Sequence, residues 1–312
     1  MIHRQRIACA SVSHHMKRTG NLWSIHALML LTALLIATSF TVSKAIAAGM
    51  DPAVLTLLRF VLAALLFLPM TAWRHGLHLP SKRQLLGYAS ISFVLTGFFW
   101  LMYLSLRTTT ALNTGVIFTL VPSISGLYSA VLLGERLGRN RLAAMLPATA
   151  GAVWVLFHGS WERLTAFALL YPGDLIFFAS CLLMAFYTPL VKLFHRDEPM
   201  MVMTLWILIT GSGWLLLLAG PRLLTVSWQE TAPIVWAGTA YLAVFSTIIT
   251  FFLSQFCTIR LGPTRVMAYS YLYPPFILLI EWLCGHPLPS PRILPGVLLI
   301  AAAMLIVQSG AD

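Results

Sequence analysis

Charge is what this chain has least of. Only 9% of its 312 residues are Asp, Glu, Lys or Arg, against about 25% in an ordinary soluble domain. Hydrophobic residues make up 59%, and the mean hydropathy is +0.86. That balance excludes a soluble globular domain and points to a polytopic membrane protein. The four cysteines, Cys9, Cys181, Cys257 and Cys284, form no CxxC pair and no spaced His/Cys cluster. Neither a disulfide framework nor a metal site is expected from them. The chain has no HExxH, no GxSxG and no group of acids or histidines at ligand spacing, which argues against a membrane-embedded enzyme and against a resident cofactor. It has no GxxxxGK[ST] phosphate loop, which argues against an ATP-driven machine. His14-His15 lies in a polar tail and suggests no chemistry. The net charge of +11 would suit nucleic acid, but the basic residues sit in short loops between apolar runs, so no nucleic-acid partner is expected.

What the chain does have is long apolar runs. A helix needs about 20 apolar residues to cross the hydrocarbon core. By that ruler ten spans are predicted, at 22–43, 53–73, 85–105, 111–133, 141–158, 174–194, 200–219, 233–256, 264–285 and 292–308. The first run is too long for a signal peptide and is followed by more spans, so it reads as a membrane helix after a disordered basic lead at 1–21. Asp51-Pro52, Glu198-Pro199 and Ser290-Pro291 place a capping or acidic residue before a proline, as helix starts do, and Asp174 is expected to cap span 6. Lys and Arg are lopsided. Fourteen fall before span 1, after even-numbered spans or beyond, and five fall on the other side. That bias predicts cytoplasmic N and C termini in a cytoplasmic (inner) membrane.

The chain repeats itself. Asp51-Pro52 matches Glu198-Pro199 and Phe40-Thr41 matches Tyr187-Thr188, both at an offset of 147. Pro122 matches Pro274 at 152, and Gly134 matches Gly285 at 151. The reading is an all-α fold of two five-helix repeats, 22–158 and 174–308, joined by a linker at 159–173. Five is odd, so the second copy is inverted in the membrane, an arrangement suited to alternating access. Pro122 and the pair Pro274-Pro275 fall near the middle of spans 4 and 9. A mid-helix proline removes a hydrogen bond at a cost of about 3 kcal/mol, which is tolerated where protein or a water-lined cavity faces the break. Matched interrupted spans point to a transporter's binding site.

Ser39-Phe40-Thr41-Val42-Ser43-Lys44, Leu58-Arg59-Phe60, and Pro122 followed by Leu132-Leu133-Gly134-Glu135-Arg136 resemble the first half of an EamA-type member of the drug/metabolite transporter superfamily. Gly173-Asp174-Leu175, Ala185-Phe186-Tyr187-Thr188 and Leu261-Gly262-Pro263-Thr264-Arg265 resemble its second half. The resemblance covers about residues 22–308. It implies ten helices, a central cavity between the halves, and movement of small metabolites, often amino acids or related compounds and often outward. One departure is plain: where the family repeats the Gly-Glu pair after span 9, Gly285 is followed by His286-Pro287.

Charges inside spans are rare and costly, and two stand out. Arg59 is a candidate clamp for a substrate carboxylate, or a tie between helices through carbonyls or Glu281. Glu281 is a candidate for proton coupling, or a carboxylate reaching the interface. Lys44 is expected to snorkel. Candidate substrate-binding residues are Arg59, Trp100, Pro122, Tyr187, Tyr269, Tyr273 and Pro274, with interface belts and helix packing as the competing reading of the aromatics. Glu135 and Arg136 are expected to form a cytoplasmic turn or gate between spans 4 and 5. The leading function is a secondary transporter; a non-transporting membrane sensor or scaffold is the alternative. Expected partners are the lipid bilayer, a small-molecule substrate, a proton or counter-substrate, and a second copy in a homodimer.

Overall fold

The computed structural model describes residues 22–309 apart from 78, 136, 137, 166–170, 197 and 288. The basic lead expected at 1–21, and Arg136, lie outside these residues. The described chain is helical, with no strand among the described residues. Spans 1 to 3 are Leu22–Ile46, Pro52–His75 and Lys82–Leu106. Span 4 is two helices, Ala111–Phe118 and Val121–Leu133, and span 5 is Arg139–Leu156. Spans 6 and 7 are Pro172–Phe194 and Met200–Leu223. Span 8 runs over Pro233–Leu261, five residues beyond its predicted end, span 9 over Pro263–Leu283 and span 10 over Pro291–Gln308. Nine of these are long and apolar enough to cross a membrane; span 5 offers the shorter apolar stretch Leu142–Leu156.

The packing is that of two copies of one unit. Span 2 packs on span 7, span 5 on span 10, and span 4 on span 9. Every other major contact between the halves has a counterpart five spans on: 3 on 6 and 8 on 1, 4 on 6 and 9 on 1, 3 on 7 and 8 on 2. Spans 5 and 10 approach closely because Gly151 and Gly296 face each other. A Cβ on Gly151 would meet the Gly296 carbonyl oxygen at 2.5 Å. Without a hydrophobic drive between helices in lipid, small residues that let backbones touch supply the contact energy.

Local chemistry explains the helix ends. The Asp51 carboxylate accepts from the Ala53 N–H at 2.9 Å, the expected cap of span 2. Asp174 is one turn further in than expected. It is the third residue of span 6, and its carboxylate reaches back to the Tyr171 N–H at 3.2 Å. Lys44 does not snorkel outward: its ammonium donates to the Leu106 carbonyl at 2.7 Å, while Arg107 donates to the carbonyls of Ala47 and Met50 at 3.1 and 2.8 Å. Spans 1 and 3 thus cap each other's C-termini with cations, where the helix dipoles favour them.

The breaks of spans 4 and 9 lie just N-terminal to their prolines. Pro122 opens the helix Val121–Leu133 and Pro274 opens Tyr273–Leu283, positions where a missing N–H costs nothing. The chain before them tightens: Thr119 and Leu120 bond three residues back, and Tyr269–Leu272 is a 3-10 turn. The Thr119 hydroxyl donates to the Val116 carbonyl at 2.6 Å, one of the ways a membrane helix satisfies its backbone at a break.

Candidate central binding site

Arg59 lies about 10 Å into span 2 from Pro52 and is only 3% exposed. A guanidinium there needs partners, because lipid supplies none. They come from the other repeat. Span 8 carries a π-helical turn, Val244–Ile249, in its middle, and the Thr247 hydroxyl donates five residues back to the Leu242 carbonyl at 3.0 Å. The wider turn presents two hydroxyls side by side. Arg59 donates from Nε to Thr247 Oγ1 at 3.3 Å, and from Nη2 to Ser246 Oγ at 3.2 Å and Thr247 Oγ1 at 3.3 Å. Neither Glu281 nor a backbone carbonyl provides these bonds. Among the described residues the third nitrogen, Nη1, meets no acceptor in strict hydrogen-bond geometry; the buried Tyr103 hydroxyl, likewise without a strict partner, lies close enough to the guanidinium for a weak hydrogen bond.

The guanidinium carbon lies 4.3 Å above the centre of the Phe99 ring, a cation–π contact. Phe99 leads into a continuous aromatic cluster. It meets Phe98 at 4.8 Å and Phe60 at 5.6 Å between ring centres. Phe98 meets Phe118 at 5.9 Å, and Phe118 meets Tyr273 at 5.7 Å. Phe40 closes the group against Phe118 and Tyr273 at 5.7 and 6.1 Å. Spans 1, 2, 3, 4 and 9 each give a ring, and the 3-10 turn before Pro274 sets Tyr273 among them.

The remaining sequence candidates divide. Pro122 is buried beside the break of span 4, and Trp100 is half-buried against the same core. Tyr269 joins span 9 to span 1 by a short hydrogen bond to His26. Tyr187 belongs elsewhere, to a second cluster with Tyr88, Ile91, Met203 and Ile207. Glu281 is half-buried near the end of span 9, where the His286 N–H donates to its backbone carbonyl at 2.9 Å. Ser246, Thr247 and Phe99 were not singled out from sequence. Two adjacent hydroxyls in an otherwise apolar run opposite the arginine inside span 2 are the signal that would have found them.

The model of the EamA-like transporter family matches residues 23–157 and again 171–308. This chain belongs to that family. It is 21% identical over 287 residues to the Bacillus subtilis protein named uncharacterized transporter YyaM, covering 90% of this chain and 92% of that one. It is 25% identical over 285 residues to an uncharacterized transporter of Archaeoglobus fulgidus, covering 90% and 96%. A solved crystal structure shares the fold with a TM-score of 0.65 at 21% identity, over 89% of this chain and 94% of the other.

The two EamA repeats are tied together at both faces. On the face of the loops after even-numbered spans, here the basic face, Lys192 at the end of span 6 pairs with Glu135 after span 4 at 2.8 Å. Glu135, expected in a turn lock with Arg136, thus also links the two repeats; Arg136 itself lies outside the described residues. On the opposite face Arg222, ending span 7, pairs with Asp51, opening span 2, at 3.2 Å. On the same face the Asp174 carboxylate is buried and satisfied by Thr109, by the Asn113 amide at 3.1 and 3.2 Å, and by the Tyr171 N–H. Both ion pairs are partly exposed, so each contributes about 0–1 kcal/mol.

Proposed function

We propose that this EamA transporter moves a small organic carboxylate, an amino acid or a related compound, by rocking its two repeats about the central Arg59. One observation carries the reading: a buried guanidinium beside an aromatic cluster, bonded to the other repeat by two of its nitrogens, with only the neutral Tyr103 hydroxyl near enough to answer the third. Nη1 would take the carboxylate by a charge-assisted hydrogen bond, and the rings of Phe99, Phe118 and Tyr273 would take the apolar body. The substrate would contact groups from both repeats, so its arrival can bias their relative position. Breaking one weak ion pair while the other holds gives the two access states. The lopsided Lys and Arg distribution supports a basic face turned to the cytoplasm of an inner membrane. Export is the direction the family resemblance implies; Glu281, the carboxylate inside span 9, is the candidate proton carrier. Flux into proteoliposomes tests the reading, using labelled amino acids, other carboxylates and amines under pH gradients of both signs. Uptake confined to carboxylates and lost on removal of Arg59 is the expected result. No flux with any of them would overturn it.

A further inference from the structure

The two faces of the interface between spans 2 and 7 follow one plan and differ at one position. On the opposite face a cavity of about 540 Å³ contains Asp51 and Arg222. On the basic face a cavity of about 310 Å³ contains Glu198 and His75. The repeat offset of 147 carries Asp51 onto Glu198, and His75 onto Arg222. It also carries Leu79, Pro80 and Gln84, which line the basic-face cavity, onto Val226, Ser227 and Thr231, which line the other. These are one site built twice, with the two repeats exchanging roles.

The acid is answered differently in the two copies. The Asp51 carboxylate faces a cation: Arg222 Nη1 lies 3.2 Å from each of its oxygens. The Glu198 carboxylate has neutral donors, the Tyr88 hydroxyl on Oε1 at 3.0 Å and the Arg196 backbone N–H on Oε2 at 2.9 Å. Among the described residues no side-chain cation stands within ion-pair distance of it. The position that supplies the guanidinium on one face holds His75 on the other. The two donors fix the carboxylate, and Tyr88 and Trp206 both line its cavity. A fixed carboxylate beside two aromatic side chains is the chemistry of ammonium recognition, combining charge-assisted hydrogen bonds with cation–π attraction.

We infer that the basic-face cavity binds a small organic cation, a primary ammonium or a guanidinium, in the place that Arg222 fills on the opposite face. The ligand bridges span 2 of one repeat and Glu198 of the other, so it clamps this face as the Asp51–Arg222 pair clamps its counterpart. The site is separate from Arg59, whose charge repels such a ligand, and the inference stands without the transport reading. A free amine and an ethanolamine lipid headgroup share the chemistry.

The full chain in nanodiscs of phosphatidylglycerol, which has no headgroup ammonium, would be titrated with ethylammonium or methylguanidinium at constant ionic strength. Sodium is the control, and calorimetry and thermal shift are the readouts. The expected result is saturable binding that sodium does not reproduce, weakened at least tenfold by Glu198→Gln. His75→Arg is expected to weaken it as much, because it builds the cation into the site. In discs containing phosphatidylethanolamine, a tenfold loss of apparent affinity supports the headgroup as occupant, and unchanged affinity supports a free amine. No saturable response in either disc overturns the inference, as does wild-type affinity in Glu198→Gln. Wild-type affinity in a folded His75→Arg overturns the equivalence of the two sites.

Discussion

Arg59 of span 2 and Thr247 of span 8 meet across the two repeats, with the guanidinium Nε 3.3 Å from the hydroxyl. The contact exists because a π turn widens span 8 at that level and points neighbouring hydroxyls at the arginine. Single π turns inside α-helices occur often at functional sites.

Arg59→Lys keeps the charge but loses the planar fork that reaches Ser246, Thr247 and a substrate together. The loss of a hydrogen bond to a charged group is about 1.5–3 kcal/mol, or roughly 10- to 100-fold. We expect flux at low substrate concentration to fall by that factor, with most of the change in KM. Normal flux in proteoliposomes would remove Arg59 from the substrate path.

Thr247→Val keeps the shape and deletes the acceptor. Leaving part of a buried guanidinium without its partner costs about 1–3 kcal/mol. Thermal unfolding in detergent should show a clear loss of stability that Thr247→Ser restores. An unchanged unfolding curve would mean that Ser246 alone satisfies the arginine.

Replacing Pro274 and Pro275 together with Ala lets the 3-10 turn Tyr269–Leu272 relax to α-helix. Four residues at 3.0 rather than 3.6 per turn differ by about 80° in rotation. That swing moves Tyr269 away from His26, or Tyr273 out of the aromatic cluster. Turnover should drop while expression stays near the wild-type level; normal turnover would reduce the break to a packing detail.

Glu281→Gln removes the one carboxylate inside span 9. If proton movement is coupled there, transport should lose its response to an imposed pH gradient and keep exchange of substrate for substrate. A gradient response equal to that of the wild type would exclude Glu281.

His158, in the turn after span 5, offers a pH test of stability. Burial holds its pKa below the usual histidine value, helped by Arg163 and opposed by Asp174. The unfolded chain therefore takes up this proton more readily than the folded one. The contribution is present above the unfolded pKa of about 6.5 and is lost as pH falls. His158→Asn also tolerates the backbone φ of 56°. From pH 7.5 to 5.5 the wild type should lose more thermal stability than this variant; parallel curves would sink the assignment.

The ten spans were legible because lipid demands long apolar helices, and Arg59 because a charge in such a helix is conspicuous. The Asp51 cap and the paired breaks were legible for similar local reasons. What sequence could not give depends on helix rotation and on partners far along the chain. Tyr187 and Tyr273 look alike in sequence, yet one packs beside Tyr88 and the other beside Phe118. The Ser246 and Thr247 hydroxyls acquire meaning only once the π turn aims them. Glu198 reads as a helix cap, but its carboxylate turns to Tyr88, a residue 110 positions away.

Spans 5 and 10 are the shortest of the bundle, and they pack against each other. Arg139–Leu156 is 18 residues long, about 27 Å at 1.5 Å per residue. A typical hydrocarbon core is about 30 Å thick. One flank of the molecule is therefore thinner than the bilayer around it, and lipids there must compress or give way to shorter acyl chains. A thicker bilayer widens that mismatch, and the close Gly151–Gly296 contact lies on the flank that meets it.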